Sequence, residues 1–91
     1  MAVIGTITVS SAGTRVQNTT SGNVRGIMWR GRADNTGTIY VGYSDVSSSL
    51  GVAVSPGDAF TVLFEGYEKL QNWYADAATS GDKVDFVADN S

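Results

Sequence analysis

Apolar and polar residues alternate along most of this chain, and the alternation breaks mainly at points rich in glycine, asparagine and serine. A period of two belongs to a pleated strand, whose successive side chains point to opposite faces. Thr38 to Tyr43 is the clearest case, with Ile39, Val41 and Tyr43 on one face and Thr38, Tyr40 and Gly42 on the other. Phe60, Val62 and Phe64 mark a second inward face. Val84, Phe86 and Ala88 mark a third, set against Lys83, Asp85 and Val87. Val24 to Ala33 splits into Arg25/Ile27/Trp29/Gly31/Ala33 and Val24/Gly26/Met28/Arg30/Arg32. The first set holds the larger apolar groups, so Ile27 and Trp29 are expected inward and Arg30 and Arg32 outward.

Four shorter strands complete the prediction. Val3 to Ser10 is rich in β-branched residues, with Ile7 and Val9 on one face. Arg15 to Asn18, Gly51 to Val54 and Asn72 to Ala78 follow, the last opening on Trp73-Tyr74. Gly66 to Gln71 is the one stretch expected to hold a helical turn. Asp34-Asn35-Thr36-Gly37 suits a hairpin, because Asn and Gly accept positive φ, and it predicts that Val24–Ala33 pairs with Thr38–Tyr43. Pro56-Gly57 fits the centre of a type II turn, and Ser80-Gly81-Asp82 turns the chain again. Ser44 to Ser49 reads as a polar loop, and Gly26 and Gly31 as bulges or points where another backbone comes close.

The fold class that follows is all-β: a small antiparallel β-sandwich or jelly-roll-like barrel of seven or eight short strands. Residues 1–91 are expected to form a single β domain. Its first twelve residues either fold within it or extend as an arm or exchanged strand, since an edge strand pairs readily with another chain.

Composition sharpens this picture mainly by exclusion. A chain of 91 residues buries roughly 60–65 % of the surface its unfolded form exposes, so its own stability is modest. It has no cysteine to staple it, which favours burial against another chain, by oligomerisation or by docking on a larger body. It has no histidine either, so an ordinary Ser-His-Asp triad cannot form and the commonest metal ligand is missing. No cofactor is expected.

Charge is unevenly spread. Residues 1–33 carry Arg15, Arg25, Arg30 and Arg32 and no acid, whereas residues 34–91 carry all nine acids against Lys69 and Lys83. The basic front and acidic back either form faces that meet in neighbouring copies, or present a basic face to an acidic partner, or are solvated charge on strand edges. Four arginines without lysine clusters, in a chain of net charge −3, lack the electrostatic footprint of a nucleic-acid binder. Residues 1–6 show neither the basic start nor the apolar run of a signal peptide, and no stretch approaches the roughly 20 apolar residues of a membrane span. A soluble protein made in a cytoplasm is expected, with no nucleic-acid or membrane partner.

Individual acids offer little chemistry. Asp82, Asp85 and Asp89 do not have the spacing of a calcium loop, and Asp34-Asn35 reads as an Asx-type turn. Glu65 and Glu68 are read as a solvated turn in preference to a glycosidase pair. Among the aromatic residues, Trp29 is assigned to the core. Tyr40 lies on the parity opposite Ile39 and Val41, so it is expected outward. With Arg30 and Arg32 on the neighbouring strand it is expected to form a mixed aromatic and cationic contact patch, to which Trp73 is added.

Taken in order, these elements resemble a recurrent small β module of tailed-phage virions. Its pattern is a strand ending in Ala (Gly31-Arg32-Ala33), an Asn-x-Gly-x-Ile-Tyr-Val-Gly unit (Asn35 to Gly42) and a Ser/Asp/Val-rich loop (Ser44 to Ser49). A Pro-Gly turn opening a strand (Ser55 to Phe60), an aromatic segment followed by Ala (Asn72 to Ala78) and a Gly-Asp-x-Val strand (Gly81 to Ala88) complete it. The resemblance covers residues 24–88 and implies a non-enzymatic virion structural protein of the capsid decoration or cement, head-fibre or tail-associated type. It further implies the major capsid protein or another virion protein as partner, location in the virion, and a homo-oligomer, with a trimer favoured by analogy. Two rivals stand beside it. One is a carbohydrate- or receptor-binding module of a phage tail or fibre, in which Tyr40 or Trp73 stacks on sugar rings. The other is a small enzyme or enzyme inhibitor, ranked lower because the usual catalytic groups are missing.

Overall fold

Strand pairing in this chain follows one rule: the strands pair from the outside in. In the computed structural model, which describes residues 2–89, eight strands occur among the described residues. They are β1 (Ala2–Thr8), β2 (Val16–Gln17), β3 (Asn23–Gly31), β4 (Ile39–Gly42), β5 (Val52–Val54), β6 (Ala59–Lys69), β7 (Tyr74–Ala77) and β8 (Lys83–Asp89). β1 pairs with β8, β2 with β7, β3 with β6 and β4 with β5, all antiparallel, as if the chain were one long hairpin. The hairpin then rolls up, so that β8 also pairs with β3, and β7 with β4. Two four-stranded sheets result: sheet A in the order β1-β8-β3-β6 and sheet B in the order β2-β7-β4-β5. That is the order of a jelly roll, and it bears out the expected sandwich.

Between the sheets lies the core that the alternation predicts. Ile7, Ile27, Trp29, Val84 and Phe86 come from sheet A, and Ile39, Val41, Val54, Ala75 and Ala77 from sheet B. Trp29 sits at the centre, its ring 5.6 Å from that of Trp73 and 5.3 Å from that of Phe86. Phe86 lies over Gly5, its register partner, where a Cβ would come within 2.6 Å of the ring. Large aromatic burial of this kind is the main stabiliser available to so small a chain. The indole N–H groups of Trp29 and Trp73 find no acceptor among the described residues. Each offsets about 1–3 kcal/mol of that gain.

Several local expectations change. β3 and β4 are not paired: they lie in different sheets. The residues between them make one turn of their own, the Asn35 amide donating to the Arg32 carbonyl at 3.0 Å, and are otherwise bonded to the start of β8. Asn35 donates its side-chain amide to the Lys83 carbonyl at 2.7 Å and accepts from the Lys83 amide at 2.9 Å. The amides of Thr36 and Gly37 donate to the Asp82 carboxylate, both at 2.9 Å. No positive φ occurs at Asn35 or Gly37, so the connection arches from one sheet to the other. The pattern in β3 also shifts. Between the pairs Val24↔Glu68 and Gly26↔Leu63, residues 64–67 of β6 bulge out opposite Arg25. Val24 is therefore buried and Arg25 exposed, the reverse of the parity reading. β6 runs on to Lys69, and the helical turn falls later, as a 3₁₀ turn at Leu70–Asn72.

Other expectations hold. Gly57 takes φ 84° and the Asp58 amide donates to the Ser55 carbonyl at 3.0 Å, the geometry of a type II turn. At Gly31 the backbone of Ser55 comes so close that a Cβ would lie 2.9 Å from its carbonyl oxygen. The polar loop 44–49 conceals a plug, Val46, which is buried against Gly42 and Gly51. β1 pairs along its whole length with β8 of the same chain, so residues 2–8 lie within the domain. Met1, Asn90 and Ser91 of the expected 1–91 domain lie outside the described residues.

Candidate interaction surfaces

The predicted contact residues do not come together. Arg30 projects from the outer face of β3, and Arg32 lies just beyond the end of that strand. Tyr40 stands half-buried on the outer face of β4, in sheet B, beside Asp76 and Ala53. The two positions are on opposite sides of the sandwich, because the patch presupposed a β3–β4 hairpin that does not form. Trp73 is only 6 % exposed and belongs to the core.

Nor do the charges separate into two faces. The rolling-up of the hairpin lays the acidic β8 directly against the basic β3, with Arg30 opposite Asp85. Arg32 Nε donates to both Asp85 carboxylate oxygens, at 3.1 and 3.0 Å, and Thr6 Oγ1 donates to Asp85 Oδ1 at 2.6 Å. Partial burial pushes the Asp85 carboxyl up, but the Arg32 and Thr6 bonds and the nearby Arg32 and Arg30 charges outweigh it, holding the group below its ordinary value. The bond to Asp85 and its charge raise Arg32 in turn. Two of the three carboxylates weighed as calcium ligands have other jobs: Asp85 holds a guanidinium and Asp82 holds two backbone amides. Among the described residues no group of three or more acids could hold a metal ion.

Two surfaces stand out instead. The first is the outer face of sheet A, where Ile4 of β1, Val87 of β8 and Met28 of β3 lie in register across three strands. Leu63 of β6 continues the row beside Gly26, its partner on β3. Leu63 is 81 % and Ile4 74 % exposed, and a groove of about 610 Å³ lies on this face, lined by Leu63, Met28 and Val87 and by Ala2 of β1. Neighbouring polar residues, Thr6, Asp85 and Arg30, border this row on one side. The sequence carried a signal for it: Val3-Ile4, Val62-Leu63-Phe64 and Phe86-Val87-Ala88 are apolar on both parities, so apolar groups must face outward as well as inward.

The second surface is at the end of the sandwich formed by the β2–β3, β4–β5 and β6–β7 connections. A cleft of about 440 Å³ is lined there by Gln17, Tyr43, Ser44, Glu68, Asn72 and Tyr74, among others. Tyr43 follows the last residue of β4, so it leaves the inward parity and remains 49 % exposed. Its ring packs on Trp73 at 5.0 Å, and its hydroxyl donates to Glu68 Oε2 at 2.6 Å. The hydrogen bond to Glu68, with partial burial and the carboxylate charge, raises the phenol above its ordinary value. Asn72 Nδ2 donates to the other Glu68 oxygen at 3.0 Å, and Gln17 Nε2 donates to the Gln71 carbonyl at 2.8 Å. Glu65, the other acid of this stretch, is exposed in the bulged part of β6. Sequence reasoning missed Tyr43 because it counted the residue with Ile39 and Val41; its place at the border of a polar loop was the available signal.

Neither a protein-family model nor a characterised protein matches this chain.

Proposed function

We propose that this protein acts by adhesion and not by catalysis, as a virion structural protein that decorates a phage head and stabilises it. The observation that carries this reading is the apolar row Ile4–Val87–Met28–Leu63 on the outer face of sheet A. Monomeric soluble proteins seldom leave such a row in water, and one edged by polar groups has the character of a docking face. The ordered turn-and-strand motifs that resemble virion modules point the same way, and the partner they favour is the major capsid protein. Many copies, each held by a modest interface, gain avidity from the lattice to which they attach.

Mixing the purified protein with undecorated capsids and sedimenting the particles tests the reading. Wild-type protein is expected to co-sediment, and the Leu63→Asp/Ile4→Asp variant to remain in the supernatant while keeping its β-type circular dichroism. Wild-type protein that fails to associate, or a double variant that associates equally well, would overturn it.

A further inference from the structure

We propose that the cleft around Tyr43 is a binding site for a neutral saccharide, with the Tyr43 ring as the stacking platform. This inference does not depend on head association, which involves the outer face of sheet A.

The chemistry of the lining selects the ligand. A sugar ring offers one face of C–H groups and a rim of hydroxyls, each of which both donates and accepts. The exposed part of the Tyr43 ring suits the C–H face, and Tyr74 adds a second aromatic wall. Gln17, Ser44 and Asn72 supply groups that donate and accept, and Glu68 is a pure acceptor when ionised. Glu68 is the one charged group in the lining, so an anionic ligand meets repulsion with no cation to offset it. A divalent cation would find a single carboxylate, too few ligands for it. At about 440 Å³ the cleft is within the range of small-molecule sites.

Pre-organisation is the second line of support. Tyr43 is fixed at both ends, by ring packing on Trp73 at 5.0 Å and by its hydroxyl on Glu68 at 2.6 Å. Trp73 is in turn anchored on Trp29 at 5.6 Å, so the platform rests on the core. Glu68 is held by Asn72, and Gln17 by the Gln71 carbonyl. These bonds are exposed, so they add little stability; what they do is hold side chains in place. A ligand arriving there has little side-chain entropy left to remove.

The test is an array of immobilised neutral and sialylated oligosaccharides probed with the full chain, followed by titration of the best neutral hit in solution. Wild-type protein is expected to bind neutral glycans, Tyr43→Ala to lose at least tenfold in affinity, Tyr43→Phe to keep most of it, and Gln17→Ala to lose several-fold. Gln17 is exposed, so its variant leaves the fold intact even if Tyr43→Ala does not. Leu63→Asp, outside the cleft, should bind as wild type. Absence of glycan binding by the wild type, binding restricted to sialylated glycans, or binding unchanged in both Tyr43→Ala and Gln17→Ala would overturn the inference.

Discussion

The two ends of the sandwich use the same kinds of residue in opposite ways. At one end the β1–β2, β3–β4, β5–β6 and β7–β8 connections meet, and polar side chains there bond to backbone. Asp82, only 5 % exposed, takes the Thr36 and Gly37 amides; Asn35 brackets Lys83; Asp76, also buried, takes the Gly13 amide at 3.0 Å. These bonds do the work that a β3–β4 ladder would have done, and they tie the β1–β2 and β3–β4 connections to β7, to β8 and to the turn between those strands. At the other end, Tyr43, Glu68 and Asn72 bond to one another and stay at the surface. A buried carboxylate facing amides is structure. An exposed one facing a hydroxyl leaves a ring presented to solvent, and that end is available for recognition.

The contrast can be broken most forcefully at Asp82. Asp82→Ala removes a buried carboxylate and leaves two part-buried amides without their acceptor, and should lower stability by about 2–3 kcal/mol, read as a shifted urea midpoint at unchanged slope. Asn35→Ala, which removes both bonds to Lys83 at a half-buried site, should cost about 2 kcal/mol in the same assay. Of the two ends, only this one should respond so strongly.

Acid pH gives a smaller effect close by. Asp85 has a folded pKa below its unfolded value near 3.9, so its contribution is present above that value and is lost as pH falls through the lower, folded one. The pair is substantially exposed, so the gain is slight. Arg32→Gln should flatten the acid limb of a stability-against-pH curve measurably but modestly.

The smallest stability change belongs to the Tyr43 end. Glu68→Gln should change stability by no more than about 0.5 kcal/mol, as surface substitutions generally do. It should nevertheless move one phenol. Tyr43 has a raised folded pKa, so the Glu68 bond contributes below the ordinary tyrosine value near 10 and is lost as pH rises through the folded one. Alkaline ultraviolet titration should show one tyrosine ionising late in the wild type and earlier in the variant. An Asp82→Ala protein as stable as wild type, or a Glu68→Gln protein that unfolds, would erase the distinction between the two ends.

Much of the fold was legible along the chain. Ile39 and Val41, Val84 and Phe86, and Ile27 and Trp29 announced inward faces by parity alone, and Pro56-Gly57 announced its turn. The Arg25 parity failed because a bulge in a partner strand distant in sequence resets it. The proposed patch of Arg30, Arg32 and Tyr40 failed for a related reason: adjacency in the chain was taken for adjacency in a sheet.

By itself, then, the order of residues determined which segments are extended and which side of each is greasy, since pleating is a property of the local backbone. Only the tertiary structure decided which strands lie side by side, because ladder hydrogen bonds join any two backbones alike and carry no residue label. The rolled long hairpin settled that question. It set Arg32 on Asp85, sent Tyr40 to the far side, aligned Ile4 with Val87 and Met28, and brought Tyr43 of one connection to Glu68 of another strand.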